Sequence, residues 1–156
     1  MIVTALLALA AAAQEPPAPA PNPANADYHF RYLNRLDPGE GWRRTESGLR
    51  YRRVGAATQG ARPSPTDTVT IHYAGRFIDG VEFDSSVARG EPATFPLPRL
   101  IRGWQEGVPL MRVGERYEFA IPYTIAYGWS GRGPIPGGAT LLFTIELIAI
   151  PAPPQQ

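Results

Sequence analysis

Three stretches of this chain alternate apolar and polar side chains with a period of two, and that alternation constrains the fold more than any other feature. In 68–77, Val69, Ile71, Tyr73 and Gly75 fall on one side, and Thr68, Thr70, His72 and Ala74 on the other. In 115–121, Tyr117, Phe119 and Ile121 alternate with Arg116, Glu118 and Ala120. In 139–149, Leu141, Phe143, Ile145 and Leu147 alternate with Leu142, Thr144, Glu146 and Ile148. Successive side chains of a strand point to opposite faces, so each stretch predicts a strand with one face buried. Together they predict a mostly antiparallel sheet. A shorter strand is expected over 48–54, and Asp79–Gly80 marks a tight turn.

One segment breaks the rule. In 99–112, RLIRGWQEGVPLMR, the residues Leu100, Trp104, Val108 and Met111 recur at helical spacing, and Pro109 limits the helix's length. The expected fold class is therefore α+β: a twisted antiparallel β-sheet wrapped around one short α-helix.

The chain is long enough, at 156 residues, for one domain with its own core. Residues 1–13 read as a signal peptide: IVTALLALAAAA is too short to cross a bilayer as an ordinary helix, and Ala11 and Ala13 precede Gln14 as an A-x-A-like cleavage site. This predicts a periplasmic or secreted protein with no stable membrane insertion after cleavage. Residues 14–26 form a Pro/Ala linker of the extended, polyproline-like kind. A short N-terminal helical segment is expected within 27–44. DYHFRYLNRL would make about two turns there, capped near Asn25 or Asp27 and ending before Pro38–Gly39. The main domain then runs over 45–150. The tail, 151–156, is read as disordered, since PAPPQQ cannot donate to a ladder.

Composition removes several kinds of chemistry. All 15 basic Lys/Arg positions are Arg, so Schiff-base chemistry and a P-loop lysine are excluded. There is no Cys, hence no thiol nucleophile, disulfide or Cys-based zinc site. The only histidines, His29 and His72, lie on different segments, and no metal site is expected. Ser85 and Ser86 have no histidine base at recognisable spacing. Glu82 and Asp84 are read as facing opposite ways, which leaves no paired-carboxylate site. A net charge of +1 gives no case for nucleic acid. Arg43, Arg44, Arg50, Arg52 and Arg53 form a local cluster, read as a solvated surface, with an anionic partner as the other reading.

What remains is a set of aromatics from separate segments and one acid. By themselves these would be read as core. VEFDSS at 81–86, FPLPRLIRGWQEGV at 95–108, PYTIAYG at 122–128 and IPGGATLLFTIEL at 135–147, in this order and spacing, resemble the FKBP-type peptidyl-prolyl isomerases over roughly residues 46–150, about two thirds of the chain. The resemblance implies a proline pocket. Tyr73 would stand at its edge, with Phe83 and Asp84 beside it and Arg89 paired to Asp84. Trp104 would be the floor, Phe143 a wall, and Ile101 the source of a backbone N–H for the ligand. Tyr127 would offer its hydroxyl to a ligand carbonyl, and Phe95, Leu100 and Ile135 would complete the binding surface. Ala93 stands where many relatives carry an aromatic, and the loop 128–138 has Gly137–Gly138 where relatives often have proline and a polar residue.

The activity implied is cis–trans isomerisation of X–Pro bonds in unfolded or folding polypeptides, without cofactor or covalent intermediate. The alternative is a non-catalytic chaperone or peptide-binding module using the same pocket. A rapamycin-type macrolide is an implied ligand. A monomer is expected, because the long N-terminal helices of dimeric bacterial relatives have no counterpart in the sequence.

Overall fold

A computed structural model describes residues 23–153. The segment read as a signal peptide and residues 14–22 of the Pro/Ala stretch lie outside the described residues, as do 154–156 of the tail. Helix α1 (Pro23–Asn34) is longer than the two turns expected and begins inside the stretch read as linker. Proline suits a first helical turn, where an N–H would have no partner. The helix stops before Asp37, whose side chain caps a 3-10 turn over Pro38–Glu40.

The sheet has seven strands: β1 (Arg43–Arg44), β2 (Arg50–Val54), β3 (Thr68–Arg76), β4 (Glu82–Ser85), β5 (Ala93–Pro96), β6 (Arg116–Ile121) and β7 (Leu141–Ala149). Their order is β1-β2-β6-β7-β3-β4, with β5 paired to β3, and every pairing is antiparallel. The period-2 stretches are the three central strands. Val69, Ile71, Tyr73 and Gly75 are buried on β3, as are Tyr117, Phe119 and Ile121 on β6 and the four expected residues of β7. Strands β1, β4 and β5 had not been expected; each is two to four residues long, too short to show a period.

Helix α3 (Arg102–Gly107) crosses the buried face. It is shorter than the pattern over 99–112 suggested, because Pro109 enters a 3-10 turn over Val108–Leu110. Leu100, Trp104, Val108 and Met111 are nonetheless 0–5 % exposed, so their spacing reports the buried side correctly. A Cβ at Gly103 would meet Ile121 at 2.4 Å and one at Gly107 would meet Phe119 at 2.7 Å. Two glycines thus let the helix backbone lie directly on β6.

Between β3 and β4 the register shifts: Asp84 lies opposite Gly75 and Glu82 opposite Arg76. Residues two apart on a regular strand share a face, so a regular β4 would have aimed both carboxylates the same way. The bulge separates them. Glu82 pairs with Arg76 at 3.7 Å on the exposed side, while the Asp84 side chain is only 7 % exposed. The sequence reading was right that the two carboxylates diverge; the cause is the bulge, not the extended backbone. Helix α2 (Ser86–Arg89) follows at once, capped by Ser85, whose Oγ accepts the Ala88 N–H at 3.1 Å.

Candidate active site

The indole of Trp104, on α3, sits among three other rings. Its centroid is 5.1 Å from Phe143 at 89°, 5.3 Å from Tyr73 at 80° and 6.3 Å from Phe95 at 74°. Edge-to-face packing suits the ring quadrupoles, and the indole is 1 % exposed among these rings. Phe83 extends the array, 5.6 Å from Phe143 at 87°. The sheet permits this because β3 carries Gly75 there: a Cβ would lie 2.7 Å from both Phe83 and Phe143. The indole Nε1 is buried with no hydrogen-bond partner among the described residues. An unmet buried donor costs roughly 1–3 kcal/mol, and the fold tolerates it at this position.

A polar corner borders the rings. Tyr73 donates its hydroxyl proton to Asp84 Oδ2 at 2.6 Å, and Arg89 donates to Asp84 Oδ1 at 2.5 Å and to the Tyr73 hydroxyl oxygen at 2.9 Å. Burial holds the Tyr73 phenol well above its ordinary pKa, with the Asp84 hydrogen bond adding to the rise and Arg89 opposing it. The phenol therefore stays protonated and remains a donor. Arg89 reaches this corner because α2 is a single turn that starts directly after β4.

Tyr127 is half-buried, and its phenol is pushed up to about 12, chiefly by burial, with Arg132 opposing the rise and Asp84 adding to it. Those two influences put Tyr127 within electrostatic reach of the same corner. Ile101 packs on the core at the start of α3, and its N–H precedes the helical ladder, where backbone donors have no intrahelical acceptor. Leu100, Phe95 and Ile135 are buried in the same cluster, at 5 %, 5 % and 1 % exposure. Ile135 is held by mutual backbone bonds with Arg132, and Gly138 donates to the Gly128 carbonyl, so the loop 128–138 is tied at both ends. The polar corner holds Tyr73, Asp84 and Arg89, with Tyr127 in reach. Phe83, Phe95, Leu100, Trp104, Ile135 and Phe143 belong to the one cluster around it, with Ile101 at the helix start. Ala93, a small core residue, is 7 % exposed and pairs with Ile71 where β5 runs beside β3.

Two contributors escaped the sequence reading. Phe77 packs on Phe83 at 4.8 Å, buttressing it from the far end of β3. Ser86 is fully buried, and its Oγ accepts the Tyr73 N–H at 2.8 Å, which fixes the backbone that carries the Tyr73 ring. His72 Nδ1 lies 3.0 Å from that oxygen. The spacing is that of a nucleophile and its base, but a hydroxyl with no exposure and backbone partners on both sides is a structural bridge. Only the topology brings these two residues together, so no local signal announced them. Among the described residues no three His, Asp or Glu side chains gather as a metal-ligand set.

The described residues thus form a small antiparallel sheet folded over one short helix, with a cluster of aromatic rings on its buried face and a tyrosine–aspartate–arginine corner beside them. Residues 60–148 match the family model for FKBP-type peptidyl-prolyl cis-trans isomerase, and the chain belongs to that family. It is 54 % identical over 122 residues to the FKBP-type peptidyl-prolyl cis-trans isomerase FkpA of Aeromonas hydrophila, covering 78 % of this chain and 45 % of that protein. It is 49 % identical over 121 residues to the FKBP-type 22 kDa isomerase of Escherichia coli, covering 77 % of this chain and 58 % of that one. The crystal structure of FkpA from Escherichia coli superposes with a TM-score of 0.77 at 38 % identity, over 83 % of this chain and 61 % of the other. The chain spans about half the length of the curated relatives it matches.

Proposed function

We propose that this chain is a peptidyl-prolyl cis–trans isomerase acting on proline-containing polypeptides. One observation carries the reading: the Trp104 indole packed edge-to-face with Tyr73, Phe95 and Phe143, with one polar corner beside them. Rotation about an X–Pro bond is opposed by a barrier of ~18–20 kcal/mol, and uncatalysed exchange takes roughly tens to hundreds of seconds. The planar amide is the more dipolar form and is well solvated by water. At the twisted transition state that resonance is lost and the nitrogen becomes pyramidal. An apolar box therefore favours the twisted form over the planar one, and only such a difference accelerates a reaction.

In this reading the proline ring lies on Trp104 between Phe83 and Phe143. The Tyr127 hydroxyl and the Ile101 N–H hold the flanking carbonyls. Arg89 and Asp84 orient Tyr73, whose phenol remains a donor because burial raises its pKa. Rotation needs neither a covalent bond to the enzyme nor a cofactor. The test is NMR exchange spectroscopy of a proline tetrapeptide with the full chain at substoichiometric concentration: faster cis–trans exchange is expected, and an unchanged rate overturns the assignment.

The same box suits a rapamycin-type macrolide, whose binding would change Trp104 emission in a Trp42→Phe, Trp129→Phe background. Export rests on the apolar run 2–13 and the small residues before Gln14. Among the described residues no helix is long and apolar enough to cross a membrane. Intact mass from the native envelope should match a chain beginning at Gln14; a mature chain retaining Met1 overturns export by cleavage. A monomer is the expected state, and light scattering at micromolar concentration tests it.

A further inference from the structure

On the edge of the sheet away from the pocket, a cleft of about 450 Å³ is lined by Arg43, Arg52, Arg53, Arg62, Tyr51 and Tyr117, with Pro109 and Leu110 closing one side. Cross-strand register explains its composition. Arg43 lies opposite Tyr51, and Arg53 opposite Tyr117, so these four share the face that α3 covers farther in. The two tyrosine rings stack at 6.3 Å and 3°, forming an aromatic floor. Four guanidiniums and no carboxylate line this space. Arg52 is neutralised by Glu118 and Glu40 and stacks over Trp42. Arg43, Arg53 and Arg62 are exposed and have no acidic partner among the described residues. Arg53 and Arg62 both lower the Tyr117 phenol against the rise that burial imposes, so both charges converge on the floor. Glu115 is also in reach of Tyr117, but it is 3 % exposed and its carboxylate accepts the N–H groups of Thr58 and Arg112.

We infer that this cleft is a second binding site for polypeptide substrates, taking carboxylate-bearing segments of the chain whose proline occupies the pocket. The inference rests on the isomerase reading for the pocket, but not for the cleft's own chemistry. Planar guanidiniums match carboxylates bidentately, and tyrosine faces accept the aliphatic stems of glutamate or a neighbouring aromatic. The pocket and the cleft lie on one face of one sheet: Tyr73, Ile145, Tyr117 and Arg53 form a single cross-strand row. At about 4.8 Å per strand their backbones are roughly 14 Å apart. Helix α3 stands between them, and the turn that ends it borders the cleft. About ten extended residues, at ~3.3 Å each, suffice to pass around a helix of ~10 Å diameter. A segment held in the pocket is then presented to the cleft at high effective concentration, and weak surface charge contacts gain avidity.

The test uses two peptides of about 25 residues, each with one proline. One carries four glutamates centred ten residues from the proline, and the other carries glutamines there. Exchange spectroscopy with the full chain should give a KM about five- to tenfold lower for the glutamate peptide at low salt, with kcat alike. The advantage should vanish in 0.5 M salt and in the Arg53→Gln, Arg62→Gln variant, while a proline tetrapeptide turns over equally with both proteins. Equal KM values for the two peptides at low salt overturn the inference, as does a loss in the variant that the tetrapeptide shares. Arginine Nε–H chemical shifts provide a readout independent of catalysis. A proline-free glutamate peptide should shift Arg53 and Arg62 saturably, even if the protein proves not to be an isomerase. Saturation of those shifts by inorganic phosphate at equal ionic strength reveals a small-anion site and overturns the polypeptide assignment. Arg53- and Arg62-dependent binding to anionic phosphatidylglycerol vesicles without any response to the peptide overturns it in favour of a membrane.

Discussion

The Tyr73 hydroxyl donates to Asp84 across the β3–β4 pair at 2.6 Å, although these strands lose register within one residue of the contact. The bulge is what turns the Asp84 carboxylate inward while Glu82 stays with Arg76 on the outside. Asp84 accepts from both Tyr73 and Arg89, so its removal leaves two donors without their acceptor. Asp84→Ala should therefore cost about 1–3 kcal/mol in urea unfolding, more than Tyr73→Phe at about 1 kcal/mol. The two effects should be non-additive by at least about 0.5 kcal/mol, since the residues share one network. Strict additivity would show that the corner is not a unit.

Gly75 tests how tightly the box is built. Its Cβ has no room beside Phe83 and Phe143, each 2.7 Å from the ideal position. Gly75→Ala should destabilise the fold by about 1–3 kcal/mol through overpacking. At temperatures where the variant remains folded, it should also lower kcat/KM, because Phe83 and Phe143 must move to admit the methyl. A thermal melt with an isomerisation assay checks both; full activity with the parental Tm would place the rings elsewhere.

Helix α1 is fastened to the domain by His29, whose Nδ1 accepts the Thr140 N–H at 3.0 Å. Only an unprotonated Nδ1 can accept, and burial lowers the His29 pKa below its ordinary 6.5. The undocked helix therefore binds the proton more readily than the docked one. Docking is fully supported above about pH 6.5 and weakens as pH falls from there through the lower docked value. Arg44 and Arg50 line a groove together with His29 and Thr140, and their positive charges do not favour the imidazolium. Hydrogen exchange of α1 amides, corrected for intrinsic rates, should rise between pH 7.5 and 5.5. In His29→Gln, which does not titrate, that pH dependence should disappear. Equal protection at both pH values in the parent would contradict the role given to His29.

The central strands were legible because β3, β6 and β7 are long enough to show a period and bury one face each. The edge strands β1, β4 and β5 were not: their conformation is imposed by neighbours, and Glu82–Ser85 or Ala93–Pro96 alone carry no alternation to read. Helix α3 was located correctly by Trp104 and Val108, but its length was not, because Leu100 and Met111 are buried from non-helical backbone. Of the candidate site, the residues that the sequence singles out lie within recognisable motifs: Phe83 and Asp84 in EFDSS, Trp104 in IRGW, Tyr127 in AYG. Phe77 and Ser86 could not, since each acts through a contact that exists only after β3 folds against β4 and α2. The arginines 43–53 were visible as a cluster. That Arg62 joins three of them around two stacked tyrosines depends on the loop after β2 and could not be read locally.

The central claim is that the apolar box, more than any single hydrogen bond, drives the rotation. Comparing Phe83→Ala with Tyr127→Phe in kcat/KM on a proline tetrapeptide tests it most directly, with thermal melts first showing both variants folded. Losing one hydroxyl contact is worth roughly 0.5–1.5 kcal/mol, so Tyr127→Phe should cost about 2- to 10-fold. Losing the Phe83 ring removes roughly 2–3 kcal/mol of apolar contact, so Phe83→Ala should cost more than about 30-fold. A larger loss in Tyr127→Phe than in Phe83→Ala would make carbonyl orientation the main source of catalysis, and parental rates in both folded variants would contradict the pocket itself.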